Sequence, residues 1–160
     1  MAVLTLTTNQ AAANLGGRKL PSYNDQARTF VQEFNLPTVA VAGDIGTTIR
    51  LFKIPPGIYR FHRQPSFVTA SAFGAARTLD IGWEAYVDKD GTAVAVSAAG
   101  LNSAIDVSAA TITTPTKLGV ALATEYKDFE SRDGVWIYAT LAGGTIPTTA
   151  TLTGAAHFSV

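Results

Sequence analysis

The chain has no cysteine among its 160 residues. That excludes disulfides, zinc–thiolate centres and thiol catalysis, and it leaves the compartment open. Charge is also scarce: Asp, Glu, Lys and Arg make up 15% of the chain, against a usual share of about 25%. The 12 basic and 12 acidic residues cancel to a formal net charge of zero. No whole-molecule field therefore draws the protein toward nucleic acid or an anionic membrane. No apolar run approaches the roughly 18 residues that a membrane-spanning helix needs. The opening MAVLTLTTNQ lacks the charged and apolar regions of a secretory signal, so none is expected. There are two histidines, His62 and His157, and neither has a second histidine at i+2 or i+4. A histidine metal site thus has no support in the spacing. What remains plentiful is apolar: 47% of the residues are hydrophobic, enough to furnish one core in a domain of this size. A weakly charged surface rich in Ala and Thr can be covered by a partner at little desolvation cost.

The apolar residues are arranged with the period of strands. In RTLDIGWEAY, Leu79, Ile81, Trp83 and Ala85 alternate with Asp80, Gly82, Glu84 and Tyr86, which is how a strand with one face in a core reads. In GVWIYATL, Val135, Ile137, Ala139 and Leu141 share one side. In ATLTGAAHFSV, Leu152, Gly154, Ala156, Phe158 and Val160 do the same. With the glycine-containing link AGGTIPTT between them, these last two read as an antiparallel hairpin, its final strand inside a sheet. Shorter β runs are expected at Thr38–Ala42, Thr47–Ile54, Ile58–Arg63 and Ser66–Ser71, separated by Gly and Pro signals. Pro55-Pro56 stop one strand, because proline lacks the amide that continues a ladder, and Gly57 turns the chain into the next. Many short strands with closely spaced turns, and no long amphipathic helix, give an all-β sandwich or barrel.

Two segments depart from this pattern. Residues 1–35 have no sustained period and read as an extended N-terminal arm before a β-sandwich domain at 36–160. Within the arm, NDQARTFVQEF fits a short helix with Ala27, Phe30, Val31 and Phe34 on one side. It also fits a strand in which Phe30, Gln32 and Phe34 alternate with Thr29, Val31 and Glu33. The β-branched LPTVAVAG that follows favours the strand. Residues 91–115, rich in Ala and Ser, read as an insertion loop carrying some structure, with Ala104–Thr113 as a helical turn or a strand. Their low charge suggests that something covers them.

The search for chemistry returns nothing. Asp88-Lys89-Asp90-Gly91 opens like a calcium loop, but Ala99 stands at the twelfth position, where a bidentate Glu is required. Asp90-Gly91 is better read as the turn of a hairpin between Tyr86-Val87 and Val94-Val96. Asp80 and Glu84 share a strand face at a separation of roughly 13 Å, too far apart for a glycosidase pair. No G-x-S-x-G elbow is present, and Gly143-Gly144-Thr145 lacks a phosphate-holding lysine. Arg60, His62 and Arg63, interleaved with Tyr59 and Phe61, have the composition of a single-strand nucleic-acid platform. Alternate residues facing out from a strand account for them more simply. No catalytic, metal-ligating or cofactor-binding residue is therefore assigned.

Three stretches, taken in order, resemble a known family. GDIGTTIRLFKIPPG (43–57) resembles a G-D-x-I-x-L-x-K-L-P-x-G strand and turn. RTLDIGW (77–83) resembles T-L-D-V-G. DGVWIYATLAGGTIPTTATLTGAAHFSV (133–160) resembles that family's closing segment. Gly46-Thr47 lengthens the first motif, and Thr148-Thr149 stands where the last often has glycine. Together they are similar to the small virion structural proteins encoded near the major capsid protein of tailed bacteriophages, many of them head decoration or cement proteins. The resemblance implies a jelly-roll-like antiparallel β-sandwich, a homotrimer, and the major capsid protein as partner at threefold positions on the outside of the head, with assembly in the host cytoplasm. It implies a non-enzymatic role without cofactor, nucleic acid or membrane. The partner-binding residues expected are Leu4, Leu6, Leu15, Leu20 and Phe30 of the N-terminal segment. An alternative of a different class is a glycan- or receptor-binding sandwich of a fibre or tail, with Trp83, Trp136, Tyr59 and Tyr138 as platform candidates. Alternation places Trp83 on the core side and Trp136 on the opposite face of its strand.

Overall fold

A computed structural model describes residues 5–7, 29–36, 43–111 and 114–160. All regular structure among them is β. The strands are β1 (Thr5–Thr7), β2 (Thr29–Leu36), β3 (Thr48–Ile54), β4 (Gly57–Ala70), β5 (Thr78–Trp83), β6 (Tyr86–Val87), β7 (Ala93–Val94), β8 (Ser97–Asp106), β9 (Thr116–Lys117), β10 (Tyr126–Ser131), β11 (Val135–Ala142) and β12 (Leu152–Ser159). They form two layers of a jelly-roll-like sandwich. One sheet runs β1-β3-β11-β5-β8, the other β10-β4-β12-β2 with β9 added to β4, and β6-β7 make a separate hairpin. Among the described residues every pairing is antiparallel except β1 with β3.

The inner faces are those the alternation marks. Leu79, Ile81, Val135, Ile137, Ala139, Leu141, Leu152, Ala156 and Phe158 are all buried. Aromatic rings stitch the layers together. Phe52 of β3 lies 5.6 Å from Phe34 and 6.0 Å from Phe158, which belong to the opposite sheet. Farther along, Trp83 of β5 meets Phe129 of β10 edge to face at 5.7 Å. Each such ring, fully buried, contributes about 2–3 kcal/mol of transfer free energy. Trp83 is only partly buried, and its indole N–H lacks a partner.

The closing segment is not a hairpin. β11 lies between β3 and β5 in one sheet, whereas β12 lies between β4 and β2 in the other. Both are interior strands with two neighbours each, so neither has a free edge for the other. The connection at 143–151 instead crosses between layers. It is pinned by the Gly43–Ile146 bridge, with Ile146 N–H donating to the Gly43 carbonyl at 2.9 Å, and by buried Ile146 and Ala150. β12 is an interior strand, but Val160 at its end is exposed.

Other expectations are refined. The two runs after Gly57 are one strand, β4, because Pro65 sits in an irregularity and not at a break. In register, His157 of β12 faces His62, while Ala155 faces Phe67, so 63–66 bulge out opposite Ala156. Proline is tolerated at such a bulge, where no ladder amide is needed. Buried Ser66 fills the gap: its Oγ accepts from the His157 N–H at 2.9 Å and donates to the His62 carbonyl at 2.5 Å.

Residues 29–34 of NDQARTFVQEF lie in β2, a strand paired along its length with β12, while 24–28 fall outside the described residues. The 91–115 segment carries β7 and β8, and β8 forms one edge of the first sheet. β8 passes so close to β5 that a Cβ on Gly82 would stand 1.7 Å from the Ser97 carbonyl oxygen. Only glycine fits there. The Asp90-Gly91 turn joins β6 to β7, with Gly91 at φ 92° and Asp88 Oδ1 accepting from the Asp90 and Thr92 amides. The strand expected at Thr38–Ala42 falls outside the described residues.

Candidate interaction surface

The distinguishing features lie on sheet faces. Among the described residues no group of three or more His, Asp or Glu is placed to hold a metal ion. Asp80 and Glu84 are occupied separately. Asp80 Oδ1 accepts from the Ala104 amide at 2.7 Å, and Glu84 pairs with Arg50 Nε at 2.9 Å.

The outer face of the β10-β4-β12-β2 sheet is built from rows set by register. One row crosses all four strands: Tyr126, His62, His157 and Val31. Beside it run Asp128, Arg60, Ser159 and Thr29, and on the other side Lys117, Phe67, Ala155 and Glu33. Four large apolar side chains stand exposed on this face: Val31 at 45%, Ile58 at 53%, Phe67 at 38% and Tyr126 at 44%. A shallow groove lies between Phe67 and the β2 residues Glu33 and Asn35, over Gly154 and Ala155.

Its charges are largely neutralised within the face. Arg60 makes a two-pronged contact with Asp128, at 2.7 and 3.0 Å, and lies over the Tyr126 ring. That hydrogen bond holds the Asp128 carboxyl below the usual carboxylate range and raises the Arg60 guanidinium. Arg63 pairs with Glu125 at 3.4 Å, and Lys117 donates to Gln64 at 2.9 Å. The basic cluster seen in the sequence is therefore no cationic stripe, since both its arginines face carboxylates and Phe61 is buried. The two histidines stand side by side. His62 Nε2 shares a hydrogen bond with Ser159 Oγ at 2.8 Å. Burial, and then the neighbouring His62, lower the pKa of His157. Nothing in the sequence spacing announces this pair, which arises from register alone.

The opposite sheet shows a different surface. Trp136 is half-buried, with Arg50 and Lys53 over its ring at 5.1 and 5.7 Å. Arg50 is itself held by Glu84, and Tyr138 beside it is 8% exposed. These cations occupy the ring that a sugar platform would need open. Tyr59 packs against the core, like Trp83.

Of the expected partner-binding residues, Phe30 lies in β2, stacked on Phe158 at 5.0 Å and edge-on to Tyr59 at 5.3 Å. Its ring is thus built into the body. Leu6 falls in β1, opposite Ile49 in register. Leu4, Leu15 and Leu20 fall outside the described residues. The apolar residues of the outer face went unmarked in the sequence. The one usable signal was Val31, an apolar residue sharing the polar side of its strand with Thr29 and Glu33.

The described residues thus form a mainly antiparallel β-sandwich whose notable features lie on its broad sheet faces. No protein-family model matches it, and the search of curated proteins returns no match. Solved structures with the same fold include a chain in "Capsid of Ralstonia phage GP4". The two share 16% identity over 97% of each chain, with a TM-score of 0.66. A chain in "Cyanophage Pam1 capsid asymmetric unit" is similar over 89% of this chain and 91% of that one, at 14% identity and a TM-score of 0.55.

Proposed function

We propose that this chain is a non-enzymatic structural protein of a phage head, binding the outside of the shell as a decoration or cement protein and bridging capsomers as a trimer. The observation that carries the reading is the end-to-end fold likeness to a chain of the Ralstonia phage GP4 capsid, 97% of each chain at a TM-score of 0.66. The outer face of the β10-β4-β12-β2 sheet supports it. Exposed apolar side chains there are set beside the Arg60–Asp128 and Arg63–Glu125 pairs, so covering them strands few ions. A specific interface buries about 800 Å² per partner. Several modest contacts from one trimer add through linked binding, which suits a clamp on a shell. In this reading the segment before β2 supplies Leu4, Leu6, Leu15 and Leu20 to the major capsid protein, and Phe30 anchors its root to the body.

The test is to mix the purified protein with phage heads that lack it. Co-sedimentation in a fixed ratio, with heads surviving to higher temperature, is the expected result. Absence of binding overturns the reading. A variant lacking residues 1–28, which leaves β2 whole, is expected to bind more weakly; equal binding removes the arm from the mechanism. Glycan binding that disappears in Trp136→Ala would instead favour a fibre or tail module.

A further inference from the structure

Among the described residues β2 is the edge strand of its sheet, with β12 as its sole strand partner. In an antiparallel edge strand, alternate residues turn both N–H and C=O away from the neighbour. In the eight-residue strand Thr29–Leu36, every second residue belongs to that row. Within the strand itself two devices that usually blunt an edge are missing: the segment holds no Pro or Lys, and its register with β12 runs without a bulge. A second feature belongs to the core-facing side of the same strand. Gln32 is 5% exposed, yet its side-chain Nε2 has no acceptor. A buried amide donor left unpaired is costly, so a group that supplies the acceptor is favoured there.

We propose that β2 pairs antiparallel with β2 of a second copy of this chain, about a two-fold axis through Gln32. The strand is self-complementary in that register. Gln32 faces Gln32 of the second copy, and each amide offers the donor and the acceptor the other needs. Phe30 faces Phe34 on the core side, where aromatic cross-strand pairs add stability. On the outer side Thr29 faces Asn35, and Glu33 faces Val31. The one charge of the strand therefore never meets its own copy directly across. The apolar Val31, 45% exposed in the single chain, gains a neighbour. The contact makes one continuous sheet through two copies, and it stands whether or not the protein sits on a phage head.

Because the chain has no cysteine, single substitutions report the register cleanly. Under mild oxidation Gln32→Cys is expected to form a disulfide-linked dimer. Thr29→Cys alone should form no disulfide-linked dimer, because residue 29 of the two copies would lie roughly 20 Å apart along the strands. An equimolar mixture of Thr29→Cys and Asn35→Cys, both at exposed positions, should give the mixed dimer. Circular dichroism and melting under reducing conditions establish that each variant is folded. If Gln32→Cys does not fold, the mixed pair decides alone. A folded Gln32→Cys that forms no disulfide, a mixture that gives no mixed disulfide dimer, or Thr29→Cys linking to itself as fast as Gln32→Cys overturns the proposal and leaves this edge to a strand of another protein.

Discussion

Replacing Ser66 with alanine is expected to unlatch the join between β4 and β12. Ser66 is 1% exposed, and its hydroxyl is the acceptor for the His157 N–H and a donor to the His62 carbonyl. Both backbone groups belong to interior strands at the point where the ladder is interrupted. Removing the hydroxyl leaves a buried N–H unpaired and takes a bond from a carbonyl. At about 1–3 kcal/mol for the stranded donor and about 1 kcal/mol for the acceptor, the loss is about 2–4 kcal/mol. For a chain of this length that lowers Tm by about 5–15 °C. The methyl group of alanine nearly fills the space, so no cavity term is added. Thermal and denaturant unfolding measure the loss, and amide exchange locates it, with His157 losing protection before the rest of β12. The exposed Ser103→Ala serves as the control, within about 0.5 kcal/mol of the parent. If Ser66→Ala melts with the parent, or His157 keeps its protection, the side-chain plug is not what holds the bulge.

Gly82→Ala is expected to cost about 2 kcal/mol or more, because the new methyl meets the Ser97 carbonyl and forces β8 away from β5; equal stability in chemical denaturation refutes that packing. Asn102→Ala should cost about 2–4 kcal/mol. This side chain, 3% exposed, donates to the Lys117 carbonyl at 2.9 Å and accepts from the Gly119 amide at 2.7 Å. Urea unfolding of the variant checks it, and a shift under 0.5 kcal/mol counts against the assignment. The pKa of His157 is depressed in the folded chain from its ordinary 6.5, so the unfolded chain takes up its proton first as the pH falls. The associated stability is present above pH 6.5 and is lost as the pH drops through the lower, folded value, with a slope of at most about 1.4 kcal/mol per pH unit. His157→Gln should flatten the Tm profile in that window; an unchanged slope assigns it to other groups.

The β class and the inner faces were legible in the amino-acid order alone. Val135, Ile137, Ala139 and Leu141 sit where alternation put them, because a strand's two-residue period is local and one buried face suffices to write it. The Asp90-Gly91 turn was legible for the same reason, as a backbone conformation that glycine takes easily. Which strands become neighbours was decided by the tertiary structure. β11 and β12 look like a hairpin in sequence, but each finds both its partners elsewhere, since backbone hydrogen bonds read no side chains and sheet order follows from the packing of both layers. The row of Tyr126, His62, His157 and Val31, the Arg60–Asp128 pair and the Ser66 plug join residues far apart in the chain, and only register brings them together. The candidate surface thus belongs to the sheet as assembled, while its strands belong to the sequence.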